Sequence, residues 1–234
     1  MFNYMDLDNW ERREHFEYYR TKIRCGYSCT VQLDITSFLK KTKLKNLKFY
    51  PSFVYCVAKI VNSMKEFRMA VDEEGRPGYY DVSNPNMTIF HKENNTFSDM
   101  WTEYYPIFDE FYKSTVNNMN KYGTVLGIKA RKEQPANFFC ISCVPWLSYT
   151  SYNTNVPGGE PNLFPIITFG RYTDCNGKYT MPFTLNISHA AADGYHSSKF
   201  INDLQELLNN ITFDWTKTGK SDSSSDFPVS IFTI

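Results

Sequence analysis

The segment KYTMPFTLNIS, Lys178 to Ser188, alternates apolar and polar residues and runs directly into His189, three alanines and Asp193-Gly194. An amphipathic stretch follows at once. Two-residue alternation marks a strand with unlike faces, and the spacing of Phe200, Ile201, Leu204, Leu207 and Leu208 marks a helix from about Tyr195 to Asn209 with one buried side. A strand that passes into a helix through so short a turn of small residues belongs to a sheet with that helix packed over it. Two further strands precede it, Phe138 to Val144 and Phe164 to Tyr172, and Asn176-Gly177 supplies the turn between the last two.

Elsewhere the two periods mix. Asp8 followed by Glu11 reads as a variant capping box that opens a helix running to about Lys22. TVQLDIT alternates as a strand and leads into a short helix from Ser37 to Lys43. Phe53, Val57, Ile60, Val61 and Met64 recur at helical spacing behind Pro51, which suits a first turn. A hairpin is predicted about Glu74, Gly75 and Arg76, a strand at NMTIFHK, and a second long helix from about Pro106 to Lys121. Strands and helices mixed without strict βαβ order predict an α+β domain over residues 1–212, followed by a polar, Ser-rich tail over 213–234.

Composition narrows the function. Lys plus Arg and Asp plus Glu both number 25, so no basic field exists to attract a nucleic-acid backbone. No apolar run approaches the ~18 residues of a membrane span, and the first residues lack a signal pattern, so the expectation is a soluble, cytoplasmic protein without membrane contact. Six cysteines spread without a disulfide-like framework fit a reducing compartment. Cys140 and Cys143 lie three apart on a strand and face opposite ways, a poor start for a metal site. No G-x-G-x-x-G, P-loop or G-x-S-x-G motif is present.

His189 stands out chemically. The alanines after it leave room for the imidazole to fold toward its own backbone, where a carbonyl could fix the tautomer and leave Nε2 free as a base. Asp193 could cap the last helix or pair with an arginine. On spacing alone a loop histidine beside a capping aspartate is the favoured reading.

The segment HAAADGYH continuing into KFINDLQELL resembles chloramphenicol acetyltransferase, as do NWERREHFEYYR, KFYPSFVYCVAKIVN, FRMA, TFS, FFCISCVPW and PIITFGRY, in family order from about Asn3 to Asn209. The resemblance implies a two-layer α/β sandwich of the coenzyme A-dependent acyltransferase type, with a large mixed sheet. It also implies acetyl transfer from acetyl-CoA, as co-substrate and without a metal, to the primary hydroxyl of chloramphenicol, which confers antibiotic resistance. His189 matches the general base, Ser142 the oxyanion donor, and Thr168 a threonine that holds an ordered water. Asp193 and Arg12 match an ion pair that braces the histidine turn. Tyr18, Tyr19, Cys25, Phe97, Tyr152 and Val156 fall where the family lines its antibiotic pocket, and Trp146 and Tyr172 on the coenzyme A side. The family assembles as a homotrimer with its active sites at subunit interfaces.

Three departures qualify the match. Ser188 stands where a second histidine is usual, Thr154 where a leucine is usual, and PGGEPNL replaces a more aromatic segment between Val156 and Phe164, the last two near the expected pocket. These leave two alternatives: the same chemistry on another hydroxylated small molecule, or a non-catalytic protein that binds the drug.

Overall fold

In a computed structural model, which describes residues 1–154 and 162–213, a mixed sheet organises the chain. Its strands are β2 (Gly26–Asp34), β5 (Asn84–His91), β6 (Thr96–Trp101), β7 (Phe138–Val144), β8 (Ile166–Gly170) and β10 (Lys178–Ser188), in the order β2-β10-β8-β7-β5-β6, with β9 (Thr173–Cys175) paired to the start of β10. β5, β7 and β8 are parallel, whereas β10 runs against both β8 and β2. A smaller sheet joins β1 (Phe2–Tyr4), β4 (Pro77–Tyr80) and β3 (Met69–Val71).

The helices are α1 (Arg13–Thr21), α2 (Thr36–Leu44), α3 (Phe49–Ser63), α4 (Phe108–Tyr122) and α5 (Gly194–Asn210). α3 and α5 cover one face of the large sheet through aromatic contacts. Phe53 packs on Phe169 at 4.7 Å between ring centroids, and Phe200 packs between Phe67 at 4.7 Å and Phe183 at 6.3 Å. All five rings are fully buried, each removing apolar area worth roughly 2–3 kcal/mol from water. The result is an α+β two-layer arrangement.

The opposite face of the sheet is polar. Strand register aligns Ser142 on β7 with Thr168 on β8 and Thr184 on β10, and Thr184 in turn with Thr30 on β2. Across this face lies the segment 147–154. The Tyr149 hydroxyl donates to Thr168 O at 2.7 Å, Arg171 N donates to Leu147 O at 2.9 Å, and Asn186 Nδ2 donates to Asn153 Oδ1 and Thr154 O, each at 3.0 Å. Close approach of this segment requires Gly170, where an added Cβ would lie 2.5 Å from the Leu147 carbonyl oxygen. Gly170→Ala is therefore expected to lift the segment and to lower stability by about 1–3 kcal/mol, measured by thermal unfolding.

Predicted and observed elements differ at the start of the chain. Asp8 and Glu11 form no capping box: α1 begins at Arg13, and its preceding residue, Arg12, makes no capping bond. Asp6 instead accepts hydrogen bonds from Asp8 N at 3.3 Å and Asn9 Nδ2 at 2.7 Å, and this local turn displaces the helix start.

Candidate active site

The end of β10 builds the first half of the site. His189 N donates to Cys25 O at 2.9 Å, which extends the β2–β10 ladder by one residue. Ser188 then closes the turn: its hydroxyl accepts from Ala190 N at 3.3 Å and its carbonyl from Ala191 N and Ala192 N, each at 3.1 Å. A serine in place of a bulky neighbour thus pins the backbone behind His189 from within the core. The three alanines are fully buried, so larger residues there would push the turn off the sheet.

The imidazole is clamped by rings. It stacks on Tyr19 with centroids 3.8 Å apart and planes 5° from parallel, and it meets Tyr27 edge-on at 5.3 Å. Tyr18 packs against Tyr19 at 5.3 Å. The fold-back onto the histidine's own carbonyl, admitted by the sequence, does not occur. That carbonyl receives Arg12 Nη2 at 3.3 Å, and the buried Nδ1 has no hydrogen-bond partner among the described residues. Beside this turn opens a cleft of about 240 Å³ lined by Tyr19, Ser188 and Ala190 together with Val71, Leu163 and Phe164.

Below the turn, Arg12 Nη1 forms an ion pair with Asp193 Oδ2 and Arg12 Nη2 also reaches Ala190 O at 3.5 Å. The other Asp193 oxygen caps α5 by accepting from Tyr195 N at 3.0 Å and pairs with His196 Nδ1 at 2.8 Å. His196 Nε2 faces Glu66 at 3.8 Å. Partial burial by itself would raise the Asp193 carboxyl, but the hydrogen bond from His196 and the attraction of His196 and Arg12 outweigh it and hold the group below its ordinary 3.8. Because the folded carboxyl titrates below the unfolded one, this pairing contributes its full stability above about pH 4 and loses it as the pH falls through the lowered folded value. Asp193→Asn is expected to flatten the acid limb of a stability-against-pH curve. Arg12→Ala, which strands the carboxylate, is expected to lose about 2–4 kcal/mol in denaturant unfolding at neutral pH.

The second half lies on the polar face. Ser142 Oγ shares a hydrogen bond of 3.0 Å with Thr88 Oγ1, and Thr168 is almost fully buried beside it. Trp146 and Tyr172 follow the C-terminal ends of the parallel strands β7 and β8. Trp146 packs on Phe90 at 4.7 Å and is 57% exposed, and Tyr172 packs on Tyr179 at 5.8 Å. Phe97, opposite Phe90 on β6, is half exposed, and Tyr152 packs on Tyr149 at 5.3 Å. Val156 lies outside the described residues.

The two halves do not meet within one chain. Ser142 is in register with Thr184, and His189 lies five residues farther along β10, so the pair is separated by about 17 Å along the strands and about 10 Å across them. Alternation also turns Ser188 toward the Ser142 face and His189 toward the other. Strand direction and order, which no local pattern reveals, create this separation. Sequence reading also passed over Tyr27, although its two-residue spacing from Cys25 at the start of a strand placed it on the same side.

A family profile described as "Chloramphenicol acetyltransferase" matches residues 1–205. The chain belongs to the chloramphenicol acetyltransferase family. It is 43% identical over 206 residues to a chloramphenicol acetyltransferase of Clostridium butyricum, covering 88% of this chain and 94% of that one. A second relative of that name, from Clostridium perfringens, is 41% identical over 209 residues, covering 89% and 95%. Among solved structures, a chloramphenicol acetyltransferase superposes with a TM-score of 0.77 at 25% identity, covering 89% of this chain and all of that one. A dihydrolipoamide acetyltransferase of Azotobacter vinelandii shares the fold alone, with a TM-score of 0.61 at 14% identity over 79% of this chain and 82% of that one.

Proposed function

We infer that the protein transfers the acetyl group of acetyl-CoA to the primary hydroxyl of chloramphenicol and so confers resistance to it. Family membership at about 40% identity over nearly nine-tenths of the chain carries this reading. His189, with Nδ1 buried and its ring clamped between Tyr19 and Tyr27, offers Nε2 as the base. It removes the hydroxyl proton as that oxygen bonds to the thioester carbonyl carbon. The tetrahedral oxyanion accepts the Ser142 hydroxyl proton in a hydrogen bond, with Thr168 holding a water beside it. Collapse breaks the carbon–sulfur bond, and the imidazolium returns its proton to the departing thiolate.

Separation of His189 from Ser142 in one chain supports a site shared by two subunits of a homotrimer. A neighbour docked over the polar face brings its own His189 to Ser142, while Trp146 and Tyr172 at the other end of β7 and β8 receive coenzyme A. Such a contact joins unlike surfaces, and a three-fold axis closes it into a ring. Tyr18, Tyr19 and Cys25 then line the antibiotic pocket from the histidine end, and Phe97, Tyr152 and Val156 from the other. Cytoplasmic action fits six free cysteines, and no helix among the described residues is long and apolar enough to cross a membrane.

The deciding experiment follows free thiol release from acetyl-CoA with and without chloramphenicol. Release that depends on the antibiotic and yields an O-acetyl product is the expected result. Release with a different hydroxylated acceptor only would move the assignment to that acceptor, and antibiotic binding without release would make this a drug-binding protein.

A further inference from the structure

We propose that Thr88 is a positioning residue for the oxyanion donor, its hydroxyl donating to Ser142 Oγ so that the Ser142 proton is left for the reacting carbonyl. This rests on the role of Ser142 given above. Among the described residues Thr88 is the hydrogen-bond partner of that hydroxyl, at 3.0 Å between oxygens. The two side chains come from neighbouring parallel strands, where the register Met87 to Ile141 sets Thr88 beside Ser142.

A hydroxyl has one proton and two acceptor sites. If Ser142 donated to Thr88, it would have no proton for the oxyanion. If Thr88 donates, one Ser142 lone pair is engaged, its rotor is fixed, and the polarised Ser142 O–H becomes a stronger donor. The geometry around Thr88 suits a fixed donor. Its β-branched side chain is stiff at χ1. Its backbone is held from both sides, by pairing with Asp99 on β6 and by the Tyr50 hydroxyl, which donates to Thr88 O at 3.1 Å. Tyr50 is itself seated on Phe169. Thus the core behind the sheet sets the direction of a hydrogen bond on its front, the preorganisation that an oxyanion donor needs to avoid reorienting during the reaction.

Four variants of the full-length protein test this: Thr88→Val, Thr88→Ser, Ser142→Ala and the double variant Ser142→Ala with Thr88→Val, each followed by steady-state kinetics in both substrates and by thermal unfolding. Valine matches threonine in shape and removes only the hydroxyl. Thr88→Val is expected to lower kcat roughly 5- to 20-fold, the scale of one lost hydrogen bond, and to leave both KM values within about twofold. Thr88→Ser is expected to recover most of the rate. In the Ser142→Ala background, Thr88→Val is expected to add no further loss. An unchanged kcat in Thr88→Val, a loss confined to KM for chloramphenicol, or a loss that multiplies in full onto Ser142→Ala would each overturn the proposal. If Ser142→Ala alone turned over at the unaltered rate, the oxyanion assignment would fall and take this coupling with it. If Ser142→Ala is slow and Thr88→Val is not, the coupling alone falls.

Discussion

His189→Ala is expected to lower the rate of chloramphenicol acetylation by roughly 10²- to 10⁴-fold, the contribution of a positioned general base under the proposed mechanism, while the protein stays folded. The rate falls because no other group described at the turn can take the hydroxyl proton: Tyr19 and Tyr27 flank the imidazole as rings, and the Asp193 carboxylate is engaged by Arg12, His196 and the first N–H groups of α5. The fold survives because what His189 gives the backbone does not involve its side chain. Its N–H still reaches Cys25 O, and its carbonyl still receives Arg12. Thiol release assays set beside thermal unfolding separate the two effects. A variant that unfolds at the usual temperature yet keeps a substantial fraction of the rate would remove His189 from the mechanism.

Chains crippled in different halves of the site are expected to rescue one another. His189→Ala and Ser142→Ala proteins, each assembled alone, place a defect in every active site. Under the proposed shared site, the two proteins unfolded together in equal amounts and reassembled would form mixed trimers in which each site draws its histidine from one chain and its serine from the next. Independent choice makes about a quarter of the sites intact, so activity rises to about a quarter of that of the unaltered enzyme. This gain exceeds the residual rate of either parent by on the order of tenfold to a hundredfold or more. Mixtures no more active than the average of the two parents would mean that both residues serve the same site from one chain. The mixing ratio supplies a further check, since the yield should peak at equal amounts.

Much of the fold was legible, and the reasons differ by element. β7 and β10 begin and end at the residues that the sequence pattern indicated; on β10 one face packs Phe183 against α3 and α5, and the other carries Thr180, Thr184, Asn186 and Ser188. β6 escaped notice. Thr96 to Trp101 is short, follows the polar run at Lys92 to Asn95, and turns its most apolar residue, Phe97, outward. The turn that starts it uses Asn95 at a positive φ of 55°, a conformation asparagine tolerates. At the site, the motif around His189 carried its own neighbours Ser188, Asp193 and His196. The distance from His189 to Ser142 was beyond any local pattern, because it depends on β10 running against β8. Arg12 could be linked to Asp193 only by family resemblance, since 181 residues separate the two.

That separation bears on how the chain acquires its shape. Among the described residues β2 has a single neighbour in the sheet, β10, whose residues leave the ribosome some 150 positions later, on the general expectation that synthesis runs from the N-terminus. Until β10 and Asp193 have been made, β2 therefore waits with both edges bare, and Arg12 waits for its carboxylate. Pairings so distant in sequence close late and slowly. The histidine turn is thus tied late, and a nascent chain cannot display a finished site before Asp193 has been made.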